Sequence, residues 1–145
     1  MGTQQLLLIV LGVIIVGIAI AVGLMLFKSN SQSTNRDQIV SDLMNLGAKA
    51  QQYYRKPVSF AGGGGDFANF YLLPLDTGNG NGSYSITATE PTGAAYVSGS
   101  TTAISSSQPL IYIVGCGKET GDNGLNPVKA YLTVTSDSLR ITVLN

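Results

Sequence analysis

Cys116 is the only cysteine in a chain of 145 residues, and the chain contains no histidine and no tryptophan. One thiol cannot close an intrachain disulfide, and without His neither a Ser-His-Asp triad nor a His/Cys zinc site can be built. Set in the apolar run LIYIVGCG, Cys116 reads as a small buried hydrophobe rather than a nucleophile. Asp76, Asn79 and Asn81 in DTGNGNGS have the residue types of a calcium loop but not its spacing, so the stretch reads as a turn. AGGGGDF, residues 61–67, lacks the Lys-Ser/Thr ending of a phosphate cradle and follows no strand. No catalytic, cofactor-binding or metal-ligating set is expected, and neither is enzymatic activity. Asn81-Gly82-Ser83 is a sequon that makes Asn81 a candidate glycosylation site, and TTAISSS, residues 101–107, is a candidate O-glycan segment. For both stretches a plain solvated loop is the reading preferred.

Charge narrows the partners. Eight basic and eight acidic residues cancel, and all of them lie from Lys28 onward. Phosphate backbones require clustered Lys and Arg, and only Arg55 and Lys56 adjoin, so nucleic acid is not an expected partner.

The uncharged head is MGTQQLLLIVLGVIIVGIAIAVGLMLF, residues 1–27. From Leu6 to Phe27 no side chain is charged or strongly hydrogen-bonding; as a helix this 22-residue run would be about 33 Å long, enough to span a bilayer. It lacks the basic start and small-residue cleavage site of a secretory signal and is expected to be retained. Two readings stay open on these residues: a membrane anchor, or a helix that packs against copies of itself. Gly12, Gly17 and Gly23 recur at intervals of five and six, where glycine loses backbone entropy unless a neighbouring helix approaches closely.

After the head, KSNSQSTN (28–35) is a polar stretch in which a hinge is expected, with Thr34 and Asp37 forming a capping box that could start a second helix. Ile39, Leu43, Leu46, Ala50 and Tyr53 then step by four and three, which predicts an amphipathic helix over 36–56 with one buried face, ended by Pro57. The remainder, 57–145, is loop-rich and then alternates with period two. FANFYLLPL lies either on the surface or under the sheet. Five strands are expected, at Ser83–Glu90, Ala94–Ser100, Pro109–Gly117, Asn126–Ser136 and Ser138–Asn145, forming an antiparallel sheet. Leu132 and Val134 fall on one face, Tyr131, Thr133 and Thr135 on the other. The Ile39–Tyr53 stripe is the only long apolar cover available for one face of this sheet. The fold class is therefore α+β, a long N-terminal helix, apolar then amphipathic, packed on a C-terminal antiparallel sheet.

That arrangement, with the head and SDLMNLGAKAQQYYRKP, resembles the type IV pilins and pseudopilins. The resemblance implies a subunit held first in the inner membrane, extracted by the pilus assembly machinery, and stacked with copies of itself into a homopolymeric filament at the cell surface whose core is the bundle of apolar helices. It places Thr3, Gln4, Gln5, Leu8, Gly12, Ile15, Gly17, Ile20 and Gly23 at the assembly interface. The chain departs from the family in carrying Gln5, or Leu7 if the mature chain begins at Thr3, where a Glu is usual. It also lacks the common Pro near mature position 22 and the cysteine pair that closes a C-terminal loop. A minor pseudopilin of a secretion system shares the architecture. A monomeric membrane-anchored extracytoplasmic binding domain is the alternative from another class.

Overall fold

The computed structural model describes residues 2–145. One helix, α1 (Gly2–Arg55), runs for 54 residues, about 81 Å at the usual rise. It ends before Pro57, as expected from the restriction proline places on its predecessor. The expected hinge is absent: residues 28–35 are helical throughout, and no new helix starts at Thr34. Ser, Asn, Gln and Thr have modest helix propensity, but no Gly or Pro interrupts this stretch, so nothing removes a backbone hydrogen bond. Two side chains there, with Arg36 just after them, also fasten α1 to the domain. Gln32 Nε2 and Arg36 Nη2 each donate to Asp122 at 2.8 Å. Buried Asn35 donates to the Asn81 carbonyl at 2.9 Å and accepts from the Glu119 N–H at 3.3 Å.

Four strands, β1 (Gly82–Thr87), β2 (Leu110–Thr120), β3 (Pro127–Thr135) and β4 (Leu139–Val143), form one antiparallel sheet in the order β1-β2-β3-β4. The alternating pattern faces the helix as expected: Ile39, Leu43, Leu46 and Ala50 meet Ile111, Ile113, Leu132 and Val134 in one buried cluster. Gly47 on the helix and Gly115 on β2 let the layers approach. A β-carbon at Gly47 would overlap Leu132, and one at Gly115 would crowd Ile39 and Tyr84. FANFYLLPL lies partly under the domain, with Phe67, Phe70 and Leu72 in the core and Tyr71, Leu73 and Leu75 outside.

The expected strand over 94–100 does not form. Residues 88–109 are irregular chain; 93–97 cross the outer face of the sheet, and Ile104 returns to the core beside Phe70. Side-chain contacts replace a ladder there. The buried Lys129 ammonium donates to the Gly93 and Ala95 carbonyls, both at 3.0 Å, and the Val97 N–H points at Cys116 Sγ, 3.3 Å away. Val114, Cys116 and Tyr131 form a second, smaller cluster beneath this strap, with Val97, Tyr112 and Leu144 packed against it.

Candidate functional site: the bare apolar stem

All the buried core residues lie at or beyond Ile39, so the folded domain makes no use of the first half of α1. Between Leu6 and Phe27 every Leu, Ile, Val, Met and Phe is 48–74% exposed. The helix is long and apolar enough to cross a membrane, and none of its most apolar window is buried within the chain. Full burial of each such side chain is worth about 1.5–3 kcal/mol, so the stem is a surface that needs lipid or protein around it.

The sequence-derived interface residues all fall on this stem, but not on one face. At about 100° per residue, Leu8, Gly12, Ile15 and Gly23 share a side, Gly17 lies roughly opposite Leu8, and Ile20 lies between. Gly12, Gly17 and Gly23 have open space where a β-carbon would stand. A helix with small residues on two sides, here about 120–140° apart, offers close approach to more than one neighbour. Thr3, Gln4 and Gln5 form the exposed polar end of the stem.

Several chemistry-bearing residues of the domain hold it together. Asp42 gathers three donors on one oxygen: Asn79 Nδ2 at 2.8 Å, Asn81 Nδ2 at 3.0 Å and the Tyr84 hydroxyl at 2.5 Å. Desolvation pushes its pKa up, but the hydrogen bonds from Asn81, Tyr84 and Asn79 together outweigh it, leaving the carboxyl below its ordinary value. Tyr84 is pushed the other way, first by burial and then by Asp42. The glycine-rich turn is thereby fastened to α1, and half-buried Asn81 has its amide nitrogen turned onto Asp42. Asp76 is paired with Lys49 at 2.7 Å. Asp66 accepts from Ser107, from the Gln108 N–H at 2.8 Å and from the Ala68 N–H at 2.9 Å, which lowers its pKa, Ser107 contributing most. Thr101–Ser107 is exposed except for Ile104, which is buried.

Cys116 is fully buried, as its apolar setting predicts. Burial raises its pKa; the Val97 N–H and the charge of Lys129 oppose the rise without cancelling it. Among the described residues no group of three His, Cys, Asp or Glu side chains is placed to hold a metal ion. Sequence reasoning missed Asn35, Asp42 and Lys129 as the residues that dock helix, turn and strap. Each is an ordinary polar residue whose partner is distant in sequence, so no local pattern marks it. Comparison with protein-family models, characterised proteins and solved structures finds no match for the chain.

Proposed function

We propose that the chain is a structural subunit of an extracellular filament of the type IV pilus kind, assembled by lateral packing of the α1 stems. The observation that carries this reading is the stem, an unbroken apolar helix whose most apolar window is not buried by its own chain and whose glycines fall on two sides. A span that only anchors a domain needs apolar length; close-approach residues on two sides serve a bundle. In the filament the apolar side chains leave lipid for one another, a non-directional contact, and glycine positions set the spacing. Before assembly the same stem would hold the subunit in the inner membrane.

The test is microscopy of material sheared from cells expressing the full chain, with the fibre component identified by mass spectrometry. Fibres composed of this chain support the proposal. Protein that stays in the membrane as a monomer, with no fibres, supports the anchored-domain alternative. Fibres that contain the chain only as a trace component point to the minor pseudopilin role.

A further inference from the structure

The domain carries two further apolar features that its core does not use, and they sit at opposite ends along the axis of α1. At the end nearer the stem, the β2–β3 turn is held to the helix through Asp122, which accepts from Gln32 and Arg36. In that turn Leu125 is 88% exposed. Its N–H donates to Asn123 Oδ1 at 3.0 Å, and the Asn123 N–H is tied to Asn145 at 3.1 Å, so the turn is fixed with Leu125 projecting. At the far end, about 30 Å along the helix for the twenty residues from Arg36 to Lys56, lies a groove of about 320 Å³. Tyr71, Leu73 and Ala61 wall it, and Lys49 and Lys56 stand on its rim.

Each end carries an unpaired charge that the other end could meet. In the groove Asp76 neutralises Lys49, whereas Lys56 has no ion-pair partner among the described residues. In residues 119–125 both charged side chains are acidic; Arg36 neutralises Asp122, and Glu119 is left without a partner. Lys118, beside Glu119 on the same cleft, has no ion-pair partner among the described residues either. Direction does the rest. Copies whose stems pack parallel are related by a shift along the helix axis, which brings the stem-side end of one domain toward the far end of the next and never joins like ends.

We infer that the Leu125 turn of one subunit seats in the Tyr71–Leu73 groove of a second copy, with Glu119 facing Lys56, and that this head-to-tail contact sets the axial spacing of the domains. The inference rests on the filament reading for its parallel stems. A heterologous contact of this kind does not close on itself, so it propagates along a fibre.

The experiment uses the full chain with Leu125→Cys, Leu73→Cys, or both, exposed to a mild oxidant and run on non-reducing gels, beside microscopy of the same preparations. Both substituted positions are exposed, and buried Cys116 is out of reach of the oxidant. The double variant should give a ladder of dimers, trimers and higher species in fibres, while each single variant stays monomeric. Lys56→Glu should cut fibre yield about tenfold through repulsion from Glu119, and adding Glu119→Lys should restore it. Normal fibres without a ladder would overturn the contact and leave the filament standing. A ladder in membranes without fibres would support the contact and overturn the filament. Dimers in a single variant would mean that like ends meet, and no fibres with no ladder would overturn both proposals.

Discussion

Asp42 is the residue on which the attachment of the glycine-rich turn depends, and its environment makes that attachment sensitive to acid. Because folding lowers its pKa, the folded state binds the proton more weakly than the unfolded chain. Its stabilisation is complete above the ordinary carboxylate value of 3.8 and is lost as pH falls through the lower folded value. Asp66, lowered by Ser107 and by two backbone N–H groups, acts in the same direction. Thermal unfolding followed against pH should therefore show stability falling below about pH 4. Asp42→Asn should flatten part of that fall and cost about 1–2 kcal/mol at neutral pH, less than a buried charged network because the site is largely solvated. An unchanged acid limb in that variant would show that Asp42 is not the sensing group. Cys116 provides a second residue-scale check. A thiol reagent should label it only after denaturation, its pKa being raised by burial, and Cys116→Ala should cost no more than about 2 kcal/mol. Rapid labelling of the native protein would contradict its place beneath the strap.

At the scale of elements, the helix and the sheet are joined by close approach as much as by apolar area. Gly47 was legible only as one more residue in an amphipathic helix; the overlap that a side chain would make with Leu132 and Leu139 makes it a spacer between layers. Gly47→Leu should push α1 away from β3 and destabilise the domain by about 1–3 kcal/mol, read by chemical denaturation, although leucine is the better helix former. A stabilised variant would mean that the layers can separate without loss. The continuous α1 has a mechanical consequence as well. With Gln32, Asn35 and Arg36 bound to the domain, force on the domain passes into the stem through a single helix rather than through a pivot.

At the scale of the whole molecule, the proposed filament has to accommodate both the glycines and the polar tip of the stem. Gly17→Leu should clash with a neighbouring stem and reduce fibre yield, while the circular dichroism and melting of the domain stay unchanged, because Gly17 contacts nothing in its own chain. Fibres of normal yield would remove the close-approach argument. At the tip, Thr3, Gln4 and Gln5 would bring polar side chains into an apolar bundle, where a polar group left unpaired costs about 1–3 kcal/mol. Their hydroxyl and amide groups can both donate and accept between neighbouring helices. Joint Gln4→Leu and Gln5→Leu substitution should impair assembly by removing those partners. Assembly of the double Leu variant at the parental level would show the polar collar to be dispensable.

What the sequence determined by itself is what local periodicity and composition determine: the apolar stem, the Ile39–Tyr53 stripe, the stop at Pro57, the alternation of Leu132 and Val134 against Tyr131 and Thr133, and the burial of Cys116. Each depends on neighbours within a few residues, where helix and strand repeats act directly. The stretches at 28–35 and 94–100 were decided elsewhere. The first looks like a hinge by polarity, but Asp122, Asn81 and Glu119, all far along the chain, hold it helical and docked. The second alternates like a strand, yet Thr77 accepts from the Tyr84 N–H on the free edge of β1, and among the described residues the segment meets that edge through a single backbone hydrogen bond, from the Ser100 N–H to the Tyr84 carbonyl. Lys129 and Cys116 then hold it across the outer face of the sheet. Side-chain hydrogen bonds between residues this distant leave no periodic trace, so only the tertiary structure could decide which polar residues fasten the domain and which remain in solvent.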